Sequence, residues 1–91
     1  MTKRASKAER AWLDRVANLG CCICGGTAEI HHLLTGKGMG QKASNFDVIP
    51  LCDFHHRNGG HGVAIHSGIK TWEARHGTEL EHLERTRAVL L

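Results

Sequence analysis

Two short spacings constrain this chain more than anything else in it: Cys21-x-x-Cys24 and, further along, Cys52-x-x-His55. Two residues between a pair of ligands let one tight turn aim both at a single ion. Together the two half-knuckles offer three sulfurs and one nitrogen, a set that suits tetrahedral structural zinc. Gly25 and Gly26 follow the first pair and permit the close backbone approach such a turn needs. Cys22 is not a substitute for Cys21, because Cys22-x-Cys24 is too tight for the usual knuckle; it reads as a small hydrophobe.

The size of the chain gives the ion a purpose. A domain of 91 residues buries a modest fraction of its surface and commonly needs a metal or disulfide staple. With two Phe, two Trp and no Tyr, little aromatic surface is on hand for a core, whereas eight His are present. Residues 1–10, MTKRASKAER, lack the apolar stretch of a secretory signal, so a cytoplasmic location is expected, where thiols stay reduced and read as ligands. The sequence contains no apolar run long enough to span a membrane. The net charge of +3 is mildly basic, with Lys3, Arg4, Lys7 and Arg10 crowded at the start; this is compatible with nucleic acid without requiring it.

Patterning predicts an α+β domain. ASKAERAWLDRVANL, residues 5–19, has the period of an amphipathic helix through Ala8, Trp12, Val16 and Leu19. Ser6 and Glu9 form a capping-box signature and Gly20 is a stop. TAEIHHLL and FDVIPLC are short enough for strands, and TGKGMGQKAS between them is a glycine-rich loop. DFHHRN is expected to open a helix, GGHGVAIHSG to return to loop, and IKTWEARHG to make a short helix ended by Gly77. Thr78 with Glu81 predicts a last helix over 79–90, in which Leu80, Leu83, Ala88 and Leu91 would pack inside or pair with a partner. No repeat or boundary divides the chain, so residues 1–91 read as a single domain.

The histidines carry the chemistry. On a strand, neighbouring side chains point to opposite faces, so His31 and His32 in EIHHLL cannot share one task. With His55 assigned to the knuckle, His56 is left to point elsewhere. One of the paired histidines could join His56 on a metal while the other faces a substrate. Phosphodiester hydrolysis needs that division: a metal to neutralise charge on the phosphate and a near-neutral base to deprotonate water. Two blander readings stand beside it, in which the pair is structural or supplies further zinc ligands. The loop is not a nucleotide-binding P-loop, since Lys42 is followed by Ala43 and the required spacing is absent. Its amides with Lys37 and Lys42 could hold DNA phosphates, or it could simply join the strands.

The whole pattern resembles the HNH, or ββα-metal (His-Me finger), nuclease superfamily: Cys-x-x-Cys, His-His on a strand, a glycine-rich loop, Asn or Asp, then LCDFHH, covering residues 21–56. The wording from HHLLTGKGMGQKASNFDVIPLCDFHHRNGGHGVAIH to TWEARHG is similar to the Ref-like RecA-dependent phage nucleases and extends the resemblance to about residue 77. The resemblance implies a small zinc-stabilised ββα-metal core, about residues 20–77, with flanking N- and C-terminal helices. It implies His32 as general base, His31 and His56 as active-site metal ligands, and at least one of His66 and His61 joining them, with His66 favoured; both could instead line a loop. The middle motif position falls on Asp47, with Asn45 as the alternative. Arg57 joins Lys37 and Lys42 as an implied DNA contact. Three imidazoles suit zinc or another first-row ion better than magnesium, and Zn2+, Mg2+, Mn2+ and Ni2+ are all candidate catalytic metals beside the structural Zn2+.

The function expected is therefore a metal-dependent DNA endonuclease; the resemblance further implies phage or prophage origin and action in recombination, on DNA bound by a RecA filament or on recombination intermediates. A non-catalytic zinc-binding DNA module explains the cysteines but leaves His31, His32, His56 and His66 without a task. A redox protein using Cys21-x-x-Cys24 lacks the surrounding βαβ pattern and wastes Cys52-x-x-His55.

Overall fold

The computed structural model describes residues 4–37, 41 and 43–91. Lys3 and Lys42 lie outside them. The chain forms an α+β domain in which helix α1 (Lys7–Asn18) is followed by strands β1 (Glu29–His32) and β2 (Val48–Leu51). A helical turn at Phe54–Asn58, a short 3-10 turn at Ile65–Ser67 and helices α2 (Ile69–His76) and α3 (Glu79–Leu90) complete it. Both capping boxes form: Ser6 with Glu9 starts α1, and Thr78 with Glu81 starts α3. Gly20 ends α1 with φ 84°, and a Cβ there would lie 2.9 Å from the Gly25 carbonyl oxygen. No other residue fits that position without strain.

The two strands pair antiparallel, Glu29 opposite Leu51 and His32 opposite Val48. All of β2 is buried. Its Pro50 has no N–H to give, but its carbonyl accepts from the Cys22 N–H at 2.9 Å, which ties the first knuckle to the sheet. Trp72 from α2, Ile49, Leu51, Ile65 and Leu83 form the core with Cys21 and Leu33. Cys22 packs against that core, as a small hydrophobe should, and burial pushes its thiol pKa up to about 12.

Two features differ from the sequence-based expectation. Strand β1 is shorter than TAEIHHLL. Leu33 still donates to the Asp47 carbonyl, but the N–H groups of Leu34 and Thr35 turn to the Glu79 carboxylate, so the ladder stops. On α3, Leu83 is buried while Leu80 and Leu91 are exposed. The inward face is instead Glu79, His82, Leu83 and Thr86. DFHHRN forms the expected helical piece, as a single π turn over Phe54–Asn58. The Gly59 N–H closes that turn on the Phe54 carbonyl at 2.8 Å. Gly59 is required by space: a Cβ would lie 2.4 Å from that carbonyl oxygen and 2.6 Å from Val63 Cγ1. Gly59→Ala is therefore expected to destabilise the domain by about 1–3 kcal/mol, the usual cost of overpacking, read as a lower urea midpoint with unchanged slope.

Candidate functional site

The π turn sends adjacent histidines to two different clusters, because successive side chains of a helical turn point in different directions. His55 turns to the knuckles. Its Nδ1 lies 3.2 Å from Cys52 Sγ and 3.9 Å from Cys21 Sγ, and Cys24 Sγ lies 3.6 Å from Cys52 Sγ. The four ligand atoms are all within 4.8 Å of one another. A tetrahedral ion with bonds of about 2.3 Å to sulfur and 2.0–2.1 Å to nitrogen sets its ligands roughly 3.5–3.8 Å apart, so the cluster has the span of a single ion. The separation of the sulfurs is far beyond the S–S bond of about 2.05 Å, and the thiols are free. Backbone N–H groups of Ile23 and His55 donate to Cys21 Sγ and Cys52 Sγ, as thiolate ligands accept in such turns.

His56 turns the other way and meets His31 and His66. The three rings lie 4.7–5.2 Å apart, centroid to centroid. One nitrogen from each lies within 4.8 Å of the others. Two of the rings are held by carboxylates. His31 Nε2 donates to Glu79 Oε2 at 2.5 Å, and His56 Nδ1 donates to Glu29 Oε1 at 2.5 Å. Carboxylates only accept, so the ring hydrogen sits on those nitrogens and leaves lone pairs on His31 Nδ1 and His56 Nε2. His66 Nε2 is 3.0 Å from His56 Nε2 and can satisfy one of them with its hydrogen. His31 Nδ1, in a residue 1 % exposed, has no hydrogen-bond partner among the described residues. A buried lone pair left in this way is costly, and a cation accepting all three lone pairs resolves it. The donor set therefore fits a metal ion.

Electrostatics agree. Burial lowers the pKa of His56 despite the Glu29 carboxylate, and burial followed by the proximity of His56 lowers that of His66, so both favour the neutral form that binds metals. Burial would raise the pKa of Glu79, but hydrogen bonds from His31, from Thr35 and from the Leu34 and Thr35 backbone outweigh it and hold it at about 2. The hydrogen bond from His56 lowers that of Glu29.

His32 occupies the opposite face of β1 and is exposed. Its Nε2 lies 2.8 Å from Asn45 Oδ1. Asp47, the residue expected by position at this point, turns its carboxylate to Arg87 on α3 at 2.6 Å instead. The turn that closes when the Asp47 N–H binds the Ser44 carbonyl brings Asn45 forward and carries Asp47 into the strand entry. His61 stays apart from the three-histidine cluster, with its Nε2 3.3 Å from Thr71 Oγ1 and its ring against Gly68. Lys37 is exposed beside the glycine-rich loop. Arg57 grips both oxygens of Glu29 at 2.8 Å and also reaches Asp53, so its guanidinium is partly committed.

Three carboxylates escaped the sequence reading. Glu29 had a signal, since it stands two residues before His31 on the same strand face. Glu79, 48 positions from His31, had none. Glu9 is legible as a cap, but its second oxygen receives Asn45 Nδ2 at 2.8 Å.

The fold and clusters define a small α+β domain that carries, among the described residues, one Cys/His group and one all-His group able to hold a metal ion. The model of the family described as "Protein of unknown function (DUF968)" matches residues 1–89, and the chain belongs to that family. It is also similar to the uncharacterized protein YdfU of Escherichia coli (strain K12), 31 % identical over 88 residues. That alignment takes in 93 % of this chain and 24 % of the relative, so the chain spans about a quarter of the relative's length. No solved structure matches. Among the described residues, no helix is long and apolar enough to cross a membrane.

The carboxylate behind His31 predicts a selective effect. Glu79→Gln is expected to weaken metal binding at the three-histidine cluster by about 10- to 100-fold, the usual effect of losing such a partner, while the Cys/His cluster keeps its ion. Competition titration with cobalt separates the two, because thiolate and imidazole sites give different absorption bands.

Proposed function

We propose that this chain is a metal-dependent nuclease of the HNH, ββα-metal kind that hydrolyses phosphodiester bonds in DNA. One observation carries the reading: three converging imidazoles, two of them backed by carboxylates, stand beside an exposed histidine that is the next residue on the same strand. In this reading β1, β2 and the π turn form the ββα core. Cys21, Cys24, Cys52 and His55 would hold structural zinc, which thiolate-rich tetrahedral sets favour. His31, His56 and His66 would hold a divalent catalytic ion, and zinc or nickel suits imidazole better than magnesium or manganese does.

The bound ion would supply Lewis-acid stabilisation of charge on the phosphate and the leaving oxygen. The chain's own residues do the rest. His32 takes the proton of the attacking water, and Asn45 orients its ring. Glu79 and Glu29 keep the ligand rings in the tautomer that offers a lone pair inward. Lys37 and Lys42 meet the flanking phosphates, together with the part of Arg57 left free by Glu29 and Asp53. Similarity to RecA-dependent phage nucleases supports the narrower proposal that the DNA is presented by a RecA filament in the bacterial cytoplasm.

A cleavage assay on supercoiled and single-stranded DNA, with zinc, magnesium, manganese and nickel and with or without a RecA filament, tests this. His32→Ala is expected to reduce the rate about 100- to 10,000-fold with metal content and DNA affinity unchanged, the size of a lost general base. DNA binding without cleavage under every condition would instead make the chain a non-catalytic zinc-binding DNA module.

A further inference from the structure

An exposed imidazole can carry its hydrogen on either nitrogen unless a partner decides the matter. For His32 the partner is Asn45, and what decides Asn45 lies on α1. Asn45 Nδ2 faces Glu9 Oε2 at 2.8 Å, and Asn45 Oδ1 faces His32 Nε2 at 2.8 Å. A carboxylate has no hydrogen to give, so the amide must turn its NH2 to Glu9. Its oxygen then faces the ring, and an amide oxygen only accepts, so the ring hydrogen belongs on Nε2. His32 Nδ1 is left with its lone pair and has no hydrogen bond among the described residues. The Glu9 carboxylate is itself fixed, because its Oε1 accepts the backbone N–H of Ser6 at 2.8 Å. That backbone N–H at the start of α1 is thus the anchor of a one-directional chain of hydrogen bonds that ends on the strand.

We infer that Glu9 is a positioning residue: acting through Asn45, it sets His32 in the tautomer with hydrogen on Nε2 and the lone pair on Nδ1. The N-terminal helix, outside the two strands and the turn, then belongs to the site. The purpose of that tautomer, taking a proton from water, rests on the nuclease reading; the tautomer itself does not.

Glu9→Gln separates the possibilities because it is isosteric and remains compatible with the capping box. Gln has one acceptor and one donor where Glu has two acceptors. With its oxygen kept on the Ser6 N–H, it presents NH2 to Asn45. The Asn45 amide then turns over, donates to His32 Nε2 and moves the ring hydrogen to Nδ1. Long-range proton–nitrogen correlation NMR on the isotopically labelled full chain, loaded with zinc, reads the tautomer directly. Wild type is expected to carry hydrogen on Nε2 and Glu9→Gln on Nδ1. Ser6→Ala, which weakens the cap but leaves the Glu9–Asn45 bond, is expected to match wild type. In cleavage, Glu9→Gln should lower kcat at least about 100-fold with little change in KM, and Ser6→Ala should change neither. Hydrogen on Nδ1 in wild type, or on Nε2 in Glu9→Gln, overturns the inference. A tautomer that switches in a chain that never cleaves DNA sustains the positioning role and removes the nuclease reading. A switch with no loss of rate also sustains it and takes His32 Nδ1 out of the reaction.

Discussion

The buried carboxylate of Glu79 is the interaction on which the arrangement depends. It is fully removed from solvent, and an isolated carboxylate in that position would be severely destabilising. It is tolerated because its two oxygens accept from His31 Nε2, from the backbone N–H groups of Leu34 and Thr35, and from Thr35 Oγ1. It also sits in the first turn of α3, where the helix dipole favours negative charge. The same bonds do structural work in three places. They stop β1, they fasten the start of the glycine-rich loop, and they fix the ring of a candidate metal ligand. Helix α3 is joined to the sheet by this polar contact as well as by Leu83 in the apolar core.

Glu29 repeats the device on the opposite side of the cluster. It holds His56 with one oxygen, and Arg57 holds it with a bidentate grip. His31 and His56 thus each have one ring nitrogen hydrogen-bonded to a carboxylate, which leaves the lone pair on the other. Such pairing raises ligand basicity and fixes ring orientation before any ion arrives. The π turn makes the arrangement compact. It lets His55 serve the Cys cluster while His56, one residue on, serves the other, and Gly59 allows the turn to close at that pitch.

Much of this was legible in the residues. The two x2 spacings marked Cys21, Cys24, Cys52 and His55 as one group, because ligand spacing in a tight turn is a local property. Helix starts at Ser6 and Thr78 were legible for the same reason, since a cap involves residues three apart. Alternation along a strand separated His31 from His32. The sequence left Asp47 and Asn45 as alternatives for the middle motif position, and longer-range partners separate the two. Asp47 matched the motif by position, but its charge found Arg87, and the turn at Ser44 brought Asn45 to His32.

The sequence by itself determined the local chemistry: which residues could ligate, where helices begin and which faces of β1 the two histidines take. Tertiary structure alone decided which of the remaining histidines converge and which carboxylates stand behind them. His66 reaches the cluster and His61 does not, although both lie in one short segment. Glu79 and Glu9 come from helices at opposite ends of the chain. Covalent spacing fixes geometry across a few residues, whereas a hydrogen bond between distant side chains exists only once packing has brought their elements together.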